Sequence, residues 1–87
     1  MQRRVATISI IVEKKDSIEK LNLVLHEYFD YIIGRMGIPY QKYHINIISI
    51  AIDAPLDIIN ALSGKIGKIE GITAKTAYSK VIEDEKE

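Results

Sequence analysis

The side chains able to do chemistry are few and scattered. The 87 residues include no cysteine, so thiolate metal sites, thiol nucleophiles and disulfides are excluded. The only histidines are His26 and His44. They do not form an H-x-x-x-H pair, and with no cysteine beside them no metal site is expected. His44, at the start of the strongest strand pattern, is the better candidate of the two. No Ser/His/Asp set or paired carboxylates stand out, and Asp53 and Asp57 suit cap and dipole positions at a helix start. No catalytic residue and no cofactor are expected, and the chain reads as a non-enzyme.

One run resembles a phosphate loop on the surface. Ser63-Gly64-Lys65-Ile66-Gly67-Lys68 lacks the G-x-x-x-x-G-K-[ST] order and does not follow a strand. Late in a helix it would present carbonyls rather than amides. Helix packing or an interface is the expected use. Lys65, Lys68, Lys75 and Lys80, with Arg3 and Arg4, could make a modest basic patch. Twelve basic residues balance twelve acidic ones, however, so no direct nucleic-acid binding is expected. The five tyrosines, Tyr28, Tyr31, Tyr40, Tyr43 and Tyr78, lack the signature of an RNA-stacking sheet.

The elements that must carry these residues are clearer. His44–Asp53, HINIISIAID, is the stretch around which the chain is arranged. It holds five isoleucines and is apolar on both alternating faces. Arg4–Glu13 alternates as a first strand, with Ala6, Ile8, Ile10 and Val12 on one face. Asp16 with Glu19 suggests a capping box. Ile18, Leu21, Leu25 and Tyr28 then step by three, four and three, which predicts a helix over about Ser17–Phe29. Asp30–Gln41 is a second strand, weakened by Gly34 and Gly37 and placed at an edge or bend by Pro39. Tyr40–Tyr43 turns the chain. Asp53 or Ala54 caps a second helix with Pro55 at its first position. Its face is Ile59, Leu62, Ile66 and Ile69, and Gly71 suits the residue beyond its end. Ile72–Ser79 is a fourth strand that Val81-Ile82 could extend.

The order β-α-β-β-α-β is the ferredoxin-like split βαβ pattern, an α+β sandwich. Right-handed crossovers put both helices on one face of a four-stranded antiparallel sheet, first and third strands central. Residues 1–80 make the single domain and 81–87 a charged tail. Ile48, Ile50 and Ile52 are expected inward. Ile45, Ile47, Ser49 and Ala51 then form a bare face, which suits a homo-oligomer, dimer or tetramer. Arg3 and Arg4 precede a short apolar run, but its alternation reads as strand rather than signal peptide. No run reaches the roughly 20 apolar residues of a membrane helix, so a soluble cytoplasmic protein without membrane association is expected.

The segment from Gly34 onward resembles the small bacterial iron-only hydrogenase system regulators. The resemblance is carried by Arg35-Met36-Gly37-Ile38-Pro39, Ile45–Ile52, Ala61–Ile72 and Lys75-Thr76. The run Leu62–Gly67 is its most specific part, and the N-terminal strand and helix fit the same pattern. It implies an ACT-like, ferredoxin-like fold, similar to the C-terminal domain of nickel-responsive repressors, and a link to hydrogenase maturation genes. The departures matter. Glu13-Lys14-Lys15-Asp16 lacks the glycine usual in the first loop of amino-acid-binding ACT domains. The repressors' cysteine is absent, and these residues leave no room for a ribbon-helix-helix arm. Nickel sensing and direct DNA binding are therefore not expected.

The resulting expectation is a regulatory or sensory module binding a small ligand or a hydrogenase-system protein at a subunit interface. Its contact residues would be Gly34, Arg35, Gly37, Pro39, Ser63, Gly64, Lys65, Gly67 and Lys68, where bare backbone lets a ligand approach. The alternative is a protein-interaction accessory for hydrogenase maturation with no small ligand.

Overall fold

Alternation along the first strand places Ala6, Ile8, Ile10 and Val12 on one face, and all four are buried. In the computed structural model, which describes residues 2–84, this strand, β1 (Gln2–Val12), lies in the middle of the sheet. It is followed by α1 (Ser17–Glu27), a 3-10 turn (Phe29–Tyr31), β2 (Ile32–Tyr40), β3 (Ile45–Pro55), α2 (Leu56–Gly67), β4 (Ile72–Tyr78) and β5 (Glu83–Asp84). The order across the sheet is β2-β3-β1-β4, all antiparallel, with the short β5 paired to the start of β1. This is the ferredoxin-like α+β arrangement, and β1 and β3 are its central strands, as the pattern requires.

The core lies between one sheet face and the two helices. Ile48, Ile50 and Ile52 of β3 point into it, as expected. From α1 come Leu21, Leu25 and Tyr28, and from α2 come Ile59, Leu62 and Ile66. Ile18, Val24, Ile58, Ile69 and Ile72 pack around them. Periods of 3.6 and 2 therefore both converge on one layer of aliphatic side chains.

Several boundaries differ from the sequence reading, for local reasons. Strand β3 starts at Ile45 and runs on through Ala54 and Pro55, which pair with Arg4 and Arg3. Pro55 is extended (φ −56°, ψ 146°) and is the N-cap, so α2 begins one residue later than its proline suggested. No side chain caps α1: Asp16 is itself helical (φ −65°, ψ −21°), and the capping box does not form. Instead the buried Ser17 donates from Oγ to the Glu70 carbonyl at 2.5 Å. Helix α1 ends at Glu27, where the chain tightens into the 3-10 turn that takes up Asp30 and Tyr31. Gly71 is left-handed (φ 82°), but it follows the α2 cap, Lys68, by three residues rather than adjoining the helix end. Neither Gly64 nor Gly67 packs closely within the chain, since a Cβ added to either meets nothing within 4 Å. Val81 and Ile82 do not extend β4; after an irregular stretch the chain keeps its direction along β1, and Glu83 and Asp84 pair with Arg3 and Gln2. Residues 85–87 of the charged tail lie outside the described residues.

His44 is not in the strand. It closes the turn Gln41–His44, donating its N–H to the Gln41 carbonyl at 3.2 Å, with φ at 57°. The tight reversal between Tyr40 and Ile45, which pair directly, requires a left-handed residue there. That conformation costs a non-glycine residue about 1–2 kcal/mol, partly offset by the greater chain freedom glycine loses on folding. His44→Gly is therefore expected to raise stability by roughly 0.5–1 kcal/mol, read from the midpoint of urea unfolding. An unchanged or lower midpoint would mean that the imidazole makes a contact of equal worth.

Candidate functional site

Three surfaces hold the residues that the sequence singled out. The first is the sheet face away from the helices. Cross-strand register sets Ile38 of β2, Ile47 of β3, Ile11 of β1 and Thr73 of β4 in one row. Tyr40 and Ile45 flank this row on one side, and Met36, Ser49, Ser9 and Lys75 make the next row on the other. Met36, Ile38, Tyr40 and Ile47 are exposed. Beyond them the face turns small, with Gly34, Ala51, Thr7 and Ala77 in register. Ile45, Ile47, Ser49 and Ala51 thus share this face, and its apolar end adjoins the β2–β3 turn.

The second surface is a cleft of 380 Å³ between α1 and β2, on the helix side. Arg35, opposite Ile50 on β2, reaches α1 and donates from NH2 to Asn22 Oδ1 at 2.8 Å. Gly34 follows a β-bulge at Ile33, the residue by which the β2–β3 register shifts. His26 also lines this cleft, from the last turn of α1, and is exposed there.

The third is a hollow of 340 Å³ at the turn end of the hairpin, lined by Lys15, Pro39, Tyr40, Gln41 and His44, among others. Tyr43 lies beyond it, its ring centroid 5.6 Å from that of Tyr40, with the Lys42 ammonium 5.4 Å from its own ring centroid. His26 and His44 line different hollows. Among the described residues no three His, Cys, Asp or Glu side chains lie close enough together to hold a metal ion.

The two glycine-bearing stretches do not meet within the chain. Gly34, Arg35, Gly37 and Pro39 are on β2, at one sheet edge, whereas Ser63–Gly67 belong to α2, with Lys68 its C-cap, and α2 packs on β4 at the other. Ser63 Oγ is 2.7 Å from Thr76 Oγ1 and anchors that helix to β4. Lys65 pairs with Glu27 of α1 at 3.3 Å and lies over the Tyr28 ring. Tyr28 first, and Glu27 after it, favour the charged amine and raise its pKa. Gly64, Gly67 and Lys68 face outward. The lysine patch is divided too: Lys75 stands opposite Ser9 on the bare sheet face, and Lys65 and Lys68 are on the helix layer. Asp53 does not cap α2 but pairs with Arg3 at 3.5 Å.

Fold and sequence agree on the chain's relatives. The family model "TM1266-like: Iron-only hydrogenase system regulator, putative" matches residues 4–76. The chain belongs to this family. Membership supports a regulatory role. The solved structure of the uncharacterized protein TM1266 from Thermotoga maritima superposes with a TM-score of 0.86 at 31% identity. That match covers 91% of this chain and all of TM1266, so both family members are one such domain over the matched length. A formyltetrahydrofolate deformylase from Pseudomonas putida KT2440 matches with a TM-score of 0.61 at 10% identity. The match covers 84% of this chain but 28% of the deformylase, and it shows a shared fold alone. No curated protein matches the sequence. Among the described residues no helix is long and apolar enough to cross a membrane.

Proposed function

We propose that the chain is a non-enzymatic regulatory module of the iron-only hydrogenase system. It acts as a homo-oligomer through its bare sheet face and binds a small ligand or a partner protein at a boundary between copies. The row Ile11, Ile38 and Ile47 with its neighbours Met36 and Tyr40 carries this reading. These are large side chains on rigid strands on the face that no helix covers, half-buried at Ile11 and exposed at the other four. Burying such side chains contributes about 25 cal/mol per Å² of apolar surface, and a second copy presents the same complementary row. Because β2 and α2 lie at opposite edges, Gly34–Pro39 and Ser63–Lys68 can flank one ligand only across a boundary between copies.

Light scattering at several micromolar concentrations tests the assembly. The chain has a mass of 9.9 kDa. A mass of two or four chains, constant with dilution, is the expected result, whereas a single-chain mass throughout would overturn the oligomeric reading.

A further inference from the structure

We infer that the α1–β2 cleft binds a small organic carboxylate with an apolar body. This inference deepens the regulatory reading above and rests on it, because it assigns a class of ligand to the module. Arg35 carries it first. The described arginine and lysine pairs, Arg3–Asp53, Lys14–Glu70 and Lys65–Glu27, join each cation to a carboxylate. Among the described residues Arg35, like Arg4, which meets Gln2 Oε1 at 3.3 Å, has no such partner, and Arg35 lines the cleft. It rests instead on a neutral amide, Asn22 Oδ1 at 2.8 Å, which orients the guanidinium without neutralising it. Guanidinium has five donors in a planar fork matched to a carboxylate, and one of these contacts leaves donors to spare.

The walls of the cleft complete the argument. Leu25 and Ile32 form its apolar floor, and no carboxylate side chain lines it. Phe29 and Ile33, on its rim, are 70% and 64% exposed, although both are large and apolar. The bulge at Ile33 is what turns this edge of β2 out of simple alternation. His26 adds a second nitrogen donor on the α1 side. A cation, two polar neighbours and an apolar wall in 380 Å³ fit a molecule of small-metabolite size. They do not fit a peptide helix or a nucleic-acid strand, either of which needs a longer track.

The test uses the full chain labelled with nitrogen-15, titrated with sodium 3-phenylpropionate and, separately, with its neutral amide. The acid is expected to shift the amide signals of Asn22, His26, Ile33, Gly34 and Arg35 in a saturable way below about 10 mM. Both the neutral amide and the Arg35→Gln variant are expected to bind at least about tenfold more weakly. Absence of saturable shifts at these positions, or equal binding of acid and amide, would overturn the inference. Equal binding would mark the cleft as an apolar contact surface. Light scattering of the same samples separates this inference from the oligomeric reading. An oligomer that ignores the acid refutes the cleft alone, and a monomer that binds it at these residues refutes the assembly alone.

Discussion

Gly71→Ala is expected to lower stability by about 2–4 kcal/mol, equivalent to roughly 10 °C or more in the thermal midpoint of a domain of this size. Two causes act together. The residue has φ at 82°, where an L side chain crowds its own backbone. A Cβ there would also lie 2.7 Å from both Cβ and Cγ of Lys14. These are the root of the lysine side chain, not its flexible end, so the β1–α1 loop itself must move.

That loop is tied at this point by three contacts. Glu13 N–H donates to the Gly71 carbonyl at 2.7 Å, Ser17 Oγ donates to the Glu70 carbonyl, and Lys14 pairs with Glu70 at 2.6 Å. The lysine holds the Glu70 carboxyl below the usual glutamate range. Asparagine tolerates the left-handed conformation better than alanine but brings the same Cβ. Gly71→Asn is therefore expected to lose nearly as much as Gly71→Ala, and recovery of most of the stability by asparagine would show that the close approach is unimportant. A midpoint within measurement error of the parent for both variants would refute the account of this turn.

The turn also shows where reading a sequence succeeds and where it stops. Gly71 could be recognised as a residue needing glycine, but not placed, because its partner is Lys14, 57 residues earlier in the chain. The helix and strand faces were legible because burial follows period: Leu21 and Leu25, Leu62 and Ile66, Ile8 and Ile10 needed no knowledge of distant contacts. So was the topology, since two β-α-β units with right-handed crossovers leave few arrangements. The N-cap of α1 was not legible. Asp16 has the right chemistry, yet Ser17 beside it finds the carbonyl of Glu70, beyond the end of α2.

The candidate site was legible only in part. Arg35 and Gly34 do line a cleft, but Ser63–Lys68 share with them only their glycines and bare backbone, and the sheet order separates β2 from the strand on which α2 packs. Phe29 and Ile33 gave no signal, because an exposed apolar residue after a helix looks the same in sequence as a buried one. Only the 3-10 turn and the bulge, which set their direction, reveal them as the rim.

The second large effect comes from a pair of substitutions in β3 that differ only in the face they reach. Ile50 is 0% exposed, packed between strands and helices, while Ile47 is 38% exposed on the bare face. Ile50→Asp removes a filled core volume and puts a carboxyl where the surroundings are aliphatic. Together these cost at least about 5 kcal/mol, comparable to the whole stability of a small domain, about 5–15 kcal/mol. Loss of the folded state is expected, read as loss of cooperative unfolding by circular dichroism. Ile47→Asp leaves the core untouched and, in a single copy, costs only the strand preference of isoleucine, about 1 kcal/mol. In an oligomer joined through this face it would bury a carboxylate of each copy in an apolar surface, at the cost of desolvating it. The expected product is a folded single chain, seen as the parent spectrum with the mass of one copy. An Ile47→Asp variant that keeps the full oligomeric mass would show that the copies meet elsewhere, leaving the row of Ile11, Ile38 and Ile47 for a different partner. An Ile50→Asp variant that folds normally would contradict the packing described for β3, because no other alternation of this strand places Ile48, Ile50 and Ile52 under the helices.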